Sequence, residues 1–284
     1  SAGVFDPQGR MLAQSITGTP GHVNSMAASV GHFLDEFPVH TMRPGDIYLT
    51  NDPWKGTGHL FDVVVVTPVF YKDQPVALFA CTSHVVDIGG LGWSAEARSV
   101  FEEGVVIPVT RLRRKGVVNE ELLALIAVNS RVPREARGDV ISLMSCNDEG
   151  LRRLLALMEE YDADSLEPLA EFIFTRSAEA TRAAIEKVPE GVYRAEIELD
   201  GYDAPIRLKA EMTVRDGEIS VNLAGSSPAV AKGINCPLNY SQAYASFGIK
   251  VAIAPEVPNN HASLAPIRID APPGLIVSAE RPWP

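Results

Sequence analysis

Four consecutive valines at residues 63–66 leave a strand no polar face to turn toward water. An unbroken apolar run of this kind predicts a strand covered on both sides, so the chain has to build a sheet with structure packed on each face. The polar triplet Tyr71-Lys72-Asp73 separates segment 62–70 from a second strand-like stretch at 74–83, and together they predict an antiparallel hairpin. With the turn centred between Lys72 and Asp73, paired residue numbers sum to about 145, which sets Asp62 opposite Ser83 and Phe61 opposite His84.

The remaining pattern divides into a strand-rich region (1–118), a helical segment (119–188) and an antiparallel strand region with one helix (189–284). The expected class is α+β, a mixed α/β fold with a buried sheet, a metal-bearing hairpin, a helical middle and C-terminal antiparallel strands. Near the start, 4–14 reads as two short apolar stretches joined by a turn at Pro7 and Gly9. Met26, Val30, Phe33, Leu34 and Phe37 recur at helical spacing over 22–37, and 46–50 reads as a strand. In the middle, Asn119 offers an N-cap for Leu122, Leu123 and Ile126, and a stripe from Val140 to Met158 predicts a helix over 135–161. A third helix starts near Ser165 and ends before Pro189. Beyond it, 192–199, 206–214 and 218–223 read as strands with turns at Asp200-Gly201 and Asp216-Gly217, then a helix over 241–252 and a Pro-rich stretch over 255–273. A strand already under way at Val4 and no closing element at Arg281-Pro282-Trp283 read as interrupted ends, so part of a longer chain is expected to be missing at the C-terminus.

Composition narrows the partners. The net charge of −11 and the lack of a Lys/Arg stripe interleaved with aromatics argue against nucleic acid. No apolar run reaches the roughly 20 residues of a membrane span, and residues 1–10 lack the charged start and apolar middle of a signal peptide. Cys81, Cys146 and Cys236 are far apart in sequence and form no CxxC pair, which reads as buried thiols in a reducing, cytoplasmic compartment.

Chemistry concentrates at the open end of the hairpin. His59 and Asp62 precede it and His84 and Asp87 follow it, so pairing brings two imidazoles and one or two carboxylates together where a divalent cation could sit. A hydrogen-bonded structural role for these histidines is the competing reading. Gly56-Thr57-Gly58 and Gly89-Gly90-Leu91-Gly92 bracket the cluster and would let backbone approach a ligand. No GxxxxGK[ST] or strand-GxGxxG-helix pattern occurs, so ATP is expected to bind elsewhere. Glu102-Glu103 is a candidate acid/base pair or a solvated loop. His22, after Pro20-Gly21, either approaches the site or caps the following helix. Cys81 has no evident activating partner, and Gly225-Ser226-Ser227 is no GxSxG elbow.

These residues also form a recognisable order. Phe5-Asp6-Pro7-Gln8-Gly9-Arg10, Pro44-Gly45-Asp46, Asn51-Asp52-Pro53-Trp54, Gly58-His59-Leu60-Phe61-Asp62, His84-Val85-Val86-Asp87-Ile88-Gly89-Gly90 and Glu102-Glu103-Gly104-Val105 together resemble the hydantoinase B/oxoprolinase family, whose relatives include the acetone carboxylase alpha subunit. The resemblance implies a metal-binding catalytic subunit of an ATP-dependent cyclic amide hydrolase. Its metal would be Zn, Mn or Fe, held by His59, Asp62 and His84, with Asp87 orienting an imidazole and His22 and Glu103 as further catalytic candidates. ATP and Mg would belong to a separate hydantoinase A-like subunit in a hetero-oligomer. A Glu-Arg-x-Asp-Phe-Ser motif of the family would fall upstream of Ser1. Val85 stands where the family signature has a second His, a departure that leaves two rivals open: an ATP-dependent ketone carboxylase, or a non-catalytic assembly subunit with a decayed site.

Overall fold

The computed structural model describes residues 1–283. The chain opens with β1 (Ala2–Phe5) and β2 (Met11–Gln14), followed by α1 (Pro20–Glu36), a short 3-10 turn and β3 (Ile47–Thr50). The hairpin strands are β4 (Asp62–Tyr71) and β5 (Gln74–His84), followed by α2 (Val100–Glu103), β6 (Thr110–Arg114) and β7 (Val117–Val118). Helices α3 (Glu120–Val128), α4 (Pro133–Glu160) and α5 (Glu167–Ile185) lead to β8 (Gly191–Leu199), β9 (Ile206–Arg215) and β10 (Glu218–Asn222). The chain ends with α6 (Leu238–Ile253), α7 (His261–Leu264) and β11 (Ile267–Asp270). Strands β1 to β7 form one sheet in the order β2-β1-β5-β4-β3-β6-β7, and β8 to β11 form a second in the order β11-β10-β9-β8. The fold is a mixed α+β architecture.

The valine run explains the layering. Val63 and Val65 pack with Cys81, Leu123, Val140 and Leu143 under α3 and α4, whereas Val64 and Val66 pack with Leu78, Ala80, Val23, Met26 and Phe33 under α1. Alternate side chains of a strand point to opposite faces, so β4 is buried on both because helices cover both. Asn147 on α4 is buried and donates to Val65 O and Thr67 Oγ1 at 3.0 and 3.2 Å, fixing that helix across the strand.

The hairpin turns at Lys72 and Asp73, both with positive φ as a type I′ turn requires. Its register departs from the sequence expectation. Tyr71 pairs Gln74 and Phe70 pairs Pro75, but Val69 pairs Ala77, and from there Asp62 faces His84 in place of Ser83. The cause is a bulge at Pro75-Val76: Pro75 has no N–H to give the ladder, and one extra residue on β5 moves every later pair by one.

Strands β6, β7 and β11 were not legible locally. β11 lies in the Pro-rich stretch and pairs parallel to β10 with Ile267 and Ile269 buried, a pairing that depends on a partner more than forty residues away. Helix α6 ties the second sheet to α1. A Cβ at Gly21 would stand 2.0 Å from the Tyr244 ring, so the first turn of α1 tolerates α6 only because residue 21 has no side chain. Among the described residues no helix is long and apolar enough to cross a membrane.

The cysteines also require a correction. Cys146 is exposed on α4, off the buried stripe of Leu143, Met144 and Asn147, and Cys236 is only partly buried. Cys81 is buried and hydrogen-bonded to Cys146, a contact that pulls the Cys146 thiol down to about 6 and, with burial, raises that of Cys81.

Candidate functional site

Asp62 is the first residue of β4 and only 1% exposed. It shares the face of Val64 and Val66, which is the α1 face, and His84 lies directly opposite on β5. That face brings in His22 from the first turn of α1. His22 Nε2 stands 3.1 Å from Asp62 Oδ2, and His84 Nδ1 stands 3.3 Å from Asp62 Oδ1. The buried Thr57 hydroxyl donates to Asp62 Oδ2 at 3.0 Å. Burial alone would raise the Asp62 pKa, but the hydrogen bonds from His22 and His84 outweigh it and hold the carboxyl well below the ordinary range.

His59 reaches the same mouth from the loop before β4. Its Nδ1 accepts the Phe61 N–H at 3.1 Å, and its ring lies 5.0 Å from that of His84, centroid to centroid. Burial lowers its pKa, favouring the neutral imidazole. The loop is pinned by Asn51, which donates to Leu60 O and Val105 O and accepts from Ile107 N. Phe61 stacks on His84 at 4.9 Å, and the exposed Trp93 packs 4.5 Å from His59 and 4.8 Å from His84.

The structure thus brings His59, Asp62, His84 and His22 together, and His22 does more than start a helix. The four are hydrogen-bonded, and among the described residues no three His, Cys, Asp or Glu groups are gathered as ligands of one ion. The donor chemistry nonetheless fits a divalent cation. One anionic carboxylate and neutral imidazoles share one mouth, and side-chain rotation separates this hydrogen-bonded arrangement from a chelating one.

Asp87 is elsewhere, contrary to the expectation that it orients an imidazole. Its carboxylate accepts from Gly89 N at 3.2 Å, Ser130 Oγ at 3.1 Å, Arg131 N at 2.5 Å and the Arg131 guanidinium. It latches the glycine loop to the α3–α4 junction. Val85 also falls outside the mouth: one residue on from His84 it points to the opposite face and is buried with Val63 and Cys81. The substitution therefore changes a core position.

Thr57 and Trp93 were missed by sequence reasoning. Their only signal was position, inside and just after the two glycine-rich stretches.

Glu103, at the end of α2, lines a cavity of about 210 Å³ with His59, Phe61, Trp54, Trp93 and Trp283. Burial raises its pKa to about 7. An acid whose folded pKa is raised stabilises the fold below its unfolded pKa of about 4.3, and that contribution is lost as pH rises to about 7. Glu103→Gln is expected to flatten this decline in a thermal-unfolding series from pH 4 to 8; an unchanged slope would assign the decline to other groups. Gly90 positions this helix end. Its φ is +57°, and a Cβ there would stand 2.5 Å from the Glu103 carbonyl carbon and 2.6 Å from Glu102 O. Gly90→Ala should cost about 1–2 kcal/mol in backbone conformation alone, before the clash displaces Glu103. Urea unfolding reads the cost, and a variant as stable as the parent would show that the loop relaxes freely.

Comparison with known proteins agrees with this geometry. A putative D-/L-hydantoinase component from a Pseudomonas species, named as the B member of its pair of subunits, is 29% identical over 99% of this chain and 51% of its own length. The crystal structure of an ATP-dependent caprolactamase from Pseudomonas jessenii superposes with a TM-score of 0.92 at 25% identity, over 99% of this chain and 49% of that one. A nucleotide-free acetone carboxylase structure shares the fold, with a TM-score of 0.84 at 18% identity over 98% of this chain and 39% of its own. The chain spans about half the length of the curated relatives it matches. Residues 1–284 match the Hydantoinase B/oxoprolinase family from end to end, and the chain belongs to that family.

Proposed function

We propose that this chain is the metal-binding part of the catalytic subunit of an ATP-dependent cyclic amide hydrolase. The observation that carries the reading is the convergence of His22, His59 and His84 on the buried carboxylate of Asp62 at the mouth of the β4–β5 hairpin. Asp62, His59 and His84 are the groups that would hold the metal, with Zn, Mn or Fe compatible with such donors. The ion would supply Lewis acidity, polarising a carbonyl or lowering the pKa of a bound water. Thr57 and His22 keep Asp62 anionic and aimed into the mouth.

The names of the relatives support hydrolysis of cyclic amides such as hydantoins, 5-oxoproline or lactams. The designation of two of them as subunits supports a hetero-oligomer with a separate ATP-binding, hydantoinase A-like subunit that uses Mg. A reducing, cytoplasmic location would keep the neighbouring Cys81 and Cys146 thiols free.

Elemental analysis of the purified complex, with an ATP-dependent turnover panel of hydantoin, 5-oxoproline, caprolactam and ketones, tests the proposal. His59→Ala and His84→Ala should each remove bound metal and turnover while leaving the fold intact. Wild-type turnover in either variant sinks the assignment. Ketone-dependent fixation of labelled bicarbonate would identify a carboxylase, and a metal-free complex that still assembles would point to a structural subunit.

A further inference from the structure

All three tryptophans of the chain, Trp54, Trp93 and Trp283, line the cavity that opens beside His59. At about 210 Å³ it is smaller than the roughly 300–1,000 Å³ of sites for drug-sized ligands, and it suits a molecule of one small ring. Indole faces are flat and apolar, so they favour a flat ring. Among these walls sits one carboxyl, that of Glu103, with no hydrogen-bond or ion-pair partner among the described residues. A group of this kind in an aromatic cavity is more readily protonated than ionised, in line with its raised pKa.

A protonated carboxyl presents one donor and one acceptor side by side. Small rings force the amide bond cis, so a lactam also presents its N–H and C=O side by side. The two edges are complementary and can exchange two hydrogen bonds. A ketone has no N–H, and an open-chain amide is trans with the two groups pointing opposite ways. We infer that Glu103 reads the cis-amide edge of a small cyclic amide seated between the tryptophans, and so selects lactams and imides over ketones and linear amides. This inference rests on the cyclic amide reading above and extends it to a recognition residue.

Equilibrium binding tests it without turnover. Because every tryptophan lines the cavity, intrinsic fluorescence of the intact complex should respond to 2-pyrrolidinone and hydantoin. N-methyl-2-pyrrolidinone and cyclopentanone, which lack the N–H, should bind at least about 10-fold more weakly. Glu103→Leu should erase that difference. Glu103→Gln should keep most of it, because a carboxamide also offers adjacent donor and acceptor. Equal binding of cyclopentanone and 2-pyrrolidinone, discrimination that survives Glu103→Leu, or no response to any probe would overturn the inference. Turnover of a cyclic amide without this discrimination defeats the inference alone. Discrimination without ATP-dependent turnover leaves the inference standing and defeats the hydrolase reading.

Discussion

Replacing Asp62 with asparagine is expected to reduce ATP-dependent turnover by more than about 100-fold and to strip the site of metal. Changes to groups that merely support metal ligands cost about 10–100-fold, and Asp62 is the one anion at the mouth. The asparagine side chain has nearly the same size, so packing against Thr57, His22 and His84 survives. What changes is the charge and one acceptor: the amide NH₂ now faces a donor that the carboxylate had accepted, at a cost of about 1–3 kcal/mol in stability. Turnover, metal content and thermal unfolding measured on the same preparation separate the effects. A variant that keeps its metal and turns over within a few-fold of the parent would show that Asp62 is only a structural partner of two histidines.

Asp87→Ala should act in the opposite sense, with a large loss of stability and little direct effect on the metal. Asp87 is buried and gathers two backbone N–H groups, a hydroxyl and the Arg131 guanidinium, which together hold the Gly89-Gly90 loop against the α3–α4 junction. Arg131 is exposed enough to be rehydrated, but Gly89 N and Ser130 Oγ lose their acceptor, for an expected cost of about 3 kcal/mol by urea unfolding. Burial pushes the Asp87 pKa up, and the bonds from Arg131, Gly89 and Ser130 more than reverse this, to about 2. Its contribution is therefore present above the unfolded pKa near 3.9 and lost as pH falls toward 2. Turnover should fall only as far as the loop carries Glu103 and Trp93 out of place. Wild-type stability with abolished turnover would restore the catalytic role that the sequence alone had pointed to.

The contrast between these two aspartates shows how far local reading reaches. Both lie three residues beyond a histidine of the hairpin, at 59-to-62 and 84-to-87, and in sequence they look equivalent. In space Asp62 lies within the ladder, whereas Asp87 lies past the end of β5, where the chain has left the sheet for a glycine turn. Nothing within a few residues of Asp87 announces Arg131, which is 44 positions away. Similarly, the Pro75 bulge was visible as a proline in a strand, but which residue it would expel was a matter of packing.

The amino-acid order by itself determined the local elements: the hairpin with its turn at Lys72-Asp73, the double-sided burial of the valine run, the helical middle, and the pairing of His59 and Asp62 with His84 at one mouth. Hydrophobic period and turn chemistry act over a few residues and are written directly in the chain. Only the tertiary structure decided that α1 would deliver His22 to Asp62, that Val85 would point into the core, and that Glu103 would share a cavity with three tryptophans. Those outcomes depend on which helix covers which face of the sheet, a choice set by the sum of many distant contacts.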